Sequence, residues 1–490
     1  MQQARSYIEA ESLELAKCEK EIARLNDALA KLEAHRVDLV ERIERHRSWF
    51  SPIRRLPVEI LVNILAFVFT PESGTFALDV GLRPISAPVL AFTHVSHHWR
   101  VVINASPSLW SLIRLRLPYG RINGDQIDQI QSLLIHYLTK SRDHPLHLVN
   151  FHCAGYLQDG QINPIPRLLA PHIPRIAGFD LRGDVDYPPE SRIPKWLADS
   201  LRNDIVPKLS DMTIYHAFPE YRILPCHQLR VLKIVCTDPW PLEPVPLEIC
   251  NNLHSLTLHL FSPSRHEMED LVEIPSLRRL EIAYCRHADK PAFNLPQFVL
   301  PSLSSFRISS YNDSRSLELV TDLVRRSGCH LEEFTMEIRS GRYNVTDVDL
   351  RNFLTSCPEL SHFEVVVADP SRKNMHPGAF VCQLLDVLSP VSSYQTPIPS
   401  PKLSYVIASE RWSTLDPETV DVLLGKLEAR IGALKDYRAR VPVPRWKWDL
   451  RFGALPECAP DVLEGFRSRI EKLAKSGLKW APLPVPNESK

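Results

Sequence analysis

Apolar residues recur along this chain with three different spacings, and each spacing predicts a different element. Near the N-terminus Ile8, Leu15, Ile22, Leu29 and Ile43 fall seven or fourteen residues apart, while Leu25, Leu32 and Leu39 form a second series. That is a heptad seam, so residues 1–48 are expected as one coiled-coil helix. Cys18, Arg36 and His46 also fall on the seam, and the other positions are rich in Glu, Lys and Arg. Two arrangements fit: a homodimer joined through the seam, or a single helix folded back or left exposed.

A second spacing, three to four residues, appears after Leu56-Pro57-Val58-Glu59 at Ile60, Leu61, Ile64, Leu65, Val68 and Phe69. It predicts a helix that Pro57 opens, since a missing N–H costs nothing in the first turn. Glu59 places a carboxylate near the positive helix end. One more helix is expected around Val89 to Ala105 and a final turn around Pro107 to Ile113, with Trp99 and Trp110 as anchors. A three-helix unit over residues 49–116 buries little apolar area alone, so a partner packing on it is physically reasonable.

The third pattern is a repeat, L-x-x-L-x-I with any large apolar residue allowed. It runs Ile176/Phe179/Leu181, Leu209/Met212/Ile214, Leu229/Leu232/Ile234, Leu253/Leu256/Leu258 and Leu277/Leu280/Ile282, then Leu303/Phe306/Ile308, Leu331/Phe334/Met336 and Leu360/Phe363/Val365. From the second copy the steps are 20, 24, 24, 26, 28 and 29 residues. Each unit is one short strand with a return path that cannot bury its face alone, so stacking of units is expected over residues 117–410. Leu146–Leu148 and Lys402–Ile407 are candidate outer strands. Ser316–Arg326 and Thr346–Thr355 are candidate return helices, with Thr346 as N-cap and Asp349 at the capping-box position. Strand side chains alternate between faces, so Thr213, Lys233, Thr257, Glu281, Arg307, Thr335 and Glu364 are expected together on the concave face, as candidate target contacts. Helices at Pro417–Arg438 and Pro460–Ser476 are expected to cap the array (411–480), before a Pro-rich tail (481–490).

Leu56, Pro57, Glu59, Ile60, Ile64, Leu65, Val95, Ser96, Trp99, Arg100, Leu109 and Trp110 stand in the order of an F-box. With the preceding coiled-coil helix and the start Ser51-Pro-Ile-Arg-Arg-Leu56, the segment resembles the F-box-like proteins of mushroom-forming fungi. The repeats resemble the irregular leucine-rich repeats of F-box proteins, although the position three residues after the last apolar one, usually Asn or Cys, is Cys285 in one copy and Ala217, Thr237, Phe261, Tyr311, Arg339 and Ala368 in others. The resemblance implies an α/β repeat fold: coiled-coil helix, three-helix F-box, leucine-rich-repeat solenoid, helical C-terminal cap. It implies a non-enzymatic substrate receptor of an SCF-type cullin–RING ubiquitin ligase. Leu56, Pro57, Glu59, Ile60, Ile64, Leu65, Val95 and Trp99 would then meet the adaptor subunit, and through it cullin. A scaffold acting outside any ligase is the alternative.

Composition narrows the classes further. The 490 residues carry 58 basic and 58 acidic side chains, which gives no electrostatic case for nucleic acid or an acidic membrane. With 16 glycines against 42 prolines, the chain contains none of the common phosphate-loop or nucleophile-elbow motifs. The ten cysteines form no C-x-x-C, so free thiols in cytosol or nucleus are the simplest reading, with no cofactor or metal expected. His94 and His98 have ligand spacing, Asp347 and Asp349 are paired carboxylates, and Arg445–Arg451 mixes aromatic and basic residues. Polar surface, a helix start and end-packing are the simpler accounts of these three.

Overall fold

A computed structural model describes residues 2–49, 52–70, 73–80, 85–117, 124–153, 164–181, 199–201, 205–215, 224–235, 247–260, 271–284, 298–310, 316–338, 346–367, 383–384, 386–387, 403, 405–410, 417–438, 447–452, 460–476 and 478–482. The chain divides into two compact units, residues 1–75 with 88–109, and residues 76–87 with 110–490. The segment expected as one module, 49–116, therefore contributes to both.

The first unit is helical. Helix α1 spans Gln2–Trp49, α2 Val58–Val68, α3 Pro88–Thr93 and α4 His97–Ala105. The single helix expected over 89–105 is broken in two. Ser96 is extended and its Oγ accepts from the Trp99 N–H at 3.1 Å, so it caps α4 and stops α3 from running on. Leu61 and Leu65 of α2 are buried, as are Val102 and Ile103 of α4. Phe92 bridges Phe69 and Trp99, with ring centroids 5.6 and 6.0 Å apart.

The second unit is mixed α/β, built on a parallel sheet. Its strands are β1 Leu78–Val80, β2 Leu112–Leu117, β3 Leu146–Cys153, β4 Ile176–Leu181, β5 Asp211–Tyr215 and β6 Val231–Val235. Then come β7 Ser255–Leu260, β8 Val272–Glu273, β9 Arg279–Tyr284, β10 Phe298–Val299, β11 Ser305–Ser310 and β12 Glu333–Ile338. The last are β13 His362–Val367, β14 Tyr405–Glu410, β15 Lys447–Phe452 and β16 Leu478–Pro482. Fourteen of them form one sheet in chain order, all neighbours parallel, while β8 and β10 pair separately. Helices α5 Gly124–Lys140, α6 Ile165–Leu169, α7 Ser316–Ser327, α8 Asp347–Ser356, α9 Pro417–Arg438 and α10 Pro460–Ala474 occupy some connections.

The apolar repeat explains the sheet. Met212, Leu232, Leu256, Leu280, Phe306, Phe334 and Phe363 are register partners on successive strands, and each is at least 98 % buried. Phe334 stacks on Phe363 at 5.8 Å. The main chain repeats too. The Arg230 carbonyl accepts from the N–H groups of both His254 and Ser255, the Arg278 carbonyl from Ser304 and Ser305, and the Glu332 carbonyl from Ser361 and His362, at 2.8–3.0 Å. Equal spacing of such forks fixes one register across the sheet. A further buried rung, unannounced by the template, is Val206, Cys226, Cys250, Ile274, Leu300 and Cys357, three residues ahead of the leading Leu in six of the copies, whereas the Leu331 copy has exposed Gly328 there and buried Cys329 one residue on.

Four strands differ from the sequence reading. Residues 78–80, inside the loop between α2 and α3, form β1, and Leu112 and Ile113, expected to end a helical turn begun at Pro107, open β2. Trp110 packs edge-on against Tyr137 and His136 of α5, at 5.0 and 5.4 Å, so it anchors the sheet unit. The C-terminal part adds β15 and β16 to the sheet beside helices α9 and α10, and β16 runs into the expected tail as far as Pro482. The N-cap expectation at Thr346 is met by a full capping box with Asp349. Ala217, Thr237, Phe261, Cys285, Tyr311, Arg339 and Ala368, and residues 445–446 and 483–490, lie outside the described residues.

Candidate functional site

Two surfaces hold the residues singled out in the sequence, one in each unit. In the helical unit, α2 is apolar on two sides. Leu61, Leu65 and Phe69 point inward. Ile60, Ile64 and Phe67, spaced four and three apart, form an outward stripe, 46 %, 42 % and 80 % exposed. Val58, at 45 %, flanks it near the helix start. An exposed Phe beside two exposed Ile on one helix keeps apolar surface in water, an unfavourable hydration that a partner would relieve.

The expected adaptor residues fall into three groups. Pro57, Glu59, Ile60 and Ile64 are exposed along α2, and Val95 is exposed between α3 and α4. Leu56 and Trp99 are half-buried. Leu65, 2 % exposed, is in the core and cannot touch a partner directly, because helical geometry turns it about 100° from Ile64. Pro57 stands just ahead of the first helical residue, where its carbonyl accepts the Leu61 N–H at 3.0 Å. Phe67 and Val58 are additions. Their signal in the sequence is the outward i, i+3, i+4 series, which merges with the inward one in so apolar a helix. Arg100 Nε donates to the Thr93 carbonyl at 3.0 Å and ties α4 to α3.

In the sheet unit, the seven expected target contacts stand side by side. Thr213 pairs with Lys233, Lys233 with Thr257, Thr257 with Glu281, Glu281 with Arg307, Arg307 with Thr335, and Thr335 with Glu364. Arg307 is exposed and the other six are half-buried. Thr335 Oγ1 donates to Glu364 at 3.3 Å, and in the neighbouring row Ser309 Oγ donates to Glu337 at 2.7 Å. The row continues at one end to Asp180 and at the other to Ile407, Asp449 and Lys479 by backbone register. Signs alternate along it, with Lys233 and Arg307 against Glu281 and Glu364. Such a surface suits a protein or peptide with its own mixed charges better than a polyanion.

Candidate chemistry elsewhere is sparse among the described residues. No group of three or more His, Cys, Asp and Glu could hold a metal ion there, and His94, His97 and His98 are exposed. Among the described residues no helix is long and apolar enough to cross a membrane. Cys226 and Cys250 are fully buried neighbours, and the thiol hydrogen bond that lowers Cys226 raises Cys250. Burial pushes Cys329 up to about 11, and burial with its neighbour Cys329 pushes Cys357 up to about 12, so both stay protonated and unreactive near neutrality. Compared with family models and with curated proteins, the chain matches none.

Proposed function

We propose that this chain is the substrate-recognition subunit of an SCF-type cullin–RING ubiquitin ligase. In this reading the α2–α4 unit is an F-box-like module that docks on the adaptor subunit, and through it on cullin. The sheet is that of a leucine-rich-repeat-like solenoid, and the Thr213-to-Glu364 row holds a target protein. The observation that carries the proposal is the outward stripe Ile60, Ile64 and Phe67 within the frame Leu56-Pro57-x-Glu59. A helix that is already packed on its inner side yet apolar on its outer side fits helix-in-groove recognition. The regular register supports the second half, because it holds many side chains at fixed spacing for one macromolecular partner.

The receptor contributes no covalent chemistry on this account and uses no cofactor. It supplies proximity, which turns a bimolecular transfer on the target into one at high effective concentration. The cytosol or nucleus is where such ligases work. A second reading, a scaffold outside any ligase, draws on helix α1, whose described side chains are all exposed. The variant Leu56→Ala/Pro57→Ala separates the two. On the ligase reading it loses co-purification with the adaptor while the sheet unit keeps its melting transition; undiminished adaptor recovery would leave the scaffold.

A further inference from the structure

Helix α1 is 48 residues long, roughly 72 Å, and every one of its side chains that the structure describes is exposed. Leu15, Leu25 and Leu32 are 60 %, 54 % and 67 % exposed on the heptad seam. So long an exposed seam, apolar at most of its positions, is an interaction surface. The charges beside it say what covers it. With Ile8 taken as position a, the seam and its flanks are positions a, d, e and g. From 8 to 22 the charged residues there are Glu11, Glu14, Glu19 and Glu21, all acidic. From 33 to 47 they are Glu33 against Arg36, Arg42 and Arg47, joined by His35 and His46. One end of the seam is acidic and the other basic, so the surface complements its own reverse.

We infer that α1 pairs with α1 of a second copy as an antiparallel coiled coil, in the register where paired seam positions sum to 47. Apolar layers then form from Ile8 against Leu39, Leu15 against Leu32, Ile22 against Leu25 and Leu29 against Cys18. The two charged seam residues meet each other: Arg36 lies opposite Glu11 of the second copy, twice by symmetry. Flanking positions bring Glu14 to His35 and Ser12 to Glu33, with no like charges facing. The in-register parallel dimer does the opposite. It stacks Glu11 on Glu11 and Arg36 on Arg36 inside the seam, and sets Glu14 against Glu19 and Arg42 against Arg47 at its edges. A one-heptad slip of the antiparallel pair puts Glu11 against Ile43 and Glu19 against Glu33. A single polar layer selects register and orientation in this way, at some cost in stability. The antiparallel arrangement carries the ends of the two helices about 75 Å apart. The pairing does not depend on the ligase reading.

Native Cys18 makes the orientation measurable. A parallel pair brings the two Cys18 together at a d layer, within disulfide reach, whereas this antiparallel register separates them by roughly 16 Å along the axis, beyond it. The test uses the full chain in light scattering after size exclusion, then mild oxidation with peptide mapping. The expected result is a dimer that forms no Cys18–Cys18 link, and in the Leu29→Cys variant forms a link between Cys18 and position 29 of the other copy. Arg36→Glu should weaken the dimer by about tenfold or more, and E11R/R36E should restore it. A monomer at all concentrations overturns the inference. So does a Cys18–Cys18 link in the unaltered chain, or a charge swap that fails to rescue.

Discussion

Gly178 shows how closely single residues are fitted here. It pairs in register with His147 on the adjacent strand, and a Cβ added at Gly178 would clash with His147 Nδ1. Gly178→Ala is expected to cost about 1–3 kcal/mol in urea unfolding, from overpacking. In a His147→Ala background the same change should cost much less, and equal losses in both backgrounds would show that the ring is not the obstacle. His147 itself has its pKa lowered, chiefly by burial, as do His136 and His172. Below the ordinary value of 6.5 the unfolded chain therefore binds protons that the fold refuses. Stability is present above that value and is lost as pH falls through it. The unfolding midpoint should drop between about pH 7.5 and 5.5, and His147→Asn should flatten that slope; an unchanged slope would remove His147 from the account. The pair Ile64 and Leu65 marks a limit at this scale. Both are apolar neighbours in one helix, and only packing decides that one faces out and the other in.

At the scale of elements, strands β5 to β13 were readable because each in-sheet member repeats three apolar positions at fixed offsets, and those positions are the ones buried. The row of seven outward residues followed from alternation alone. β1, β2, β15 and β16 lack the full template. β1 is three residues long, and in β2 the alternation of Ile113 and Leu115 with Arg114 and Arg116 sits directly behind a Leu109-Trp110 pair that reads as a helix end. The break between α3 and α4 was hidden because His94-Val95-Ser96 keeps helical spacing, and Ser96 reveals its role only as a cap. Helix α2 gives the sharpest contrast. Leu65→Ala should destabilise the helical unit by about 2–5 kcal/mol through the cavity left in its core. Ile64→Ala should stay within about 0.5 kcal/mol, as at other exposed sites, yet weaken adaptor binding. If the two variants behave alike in both thermal unfolding and binding, α2 does not have separate structural and docking faces.

Across the whole molecule, the two units divide the proposed labour. The helical unit carries the outward stripe, and the parallel sheet carries the row from Thr213 to Glu364. The chain passes between the units at residues 75–76, 87–88 and 109–110, so β1 is inserted between α2 and α3. On the proposed reading, a module with its own stripe, interrupted in sequence by a strand of the other unit, would be a docking element built into a larger receptor. The measurement that bears most directly on this account is co-expression of the full chain with the ligase adaptor, followed by size exclusion with light scattering, in parallel with an Ile60→Asp/Ile64→Asp variant. The account predicts a stable complex with one adaptor per chain, lost in the variant while its circular dichroism is kept. A folded chain that elutes without adaptor, or a variant that binds as well as the parent, would contradict it.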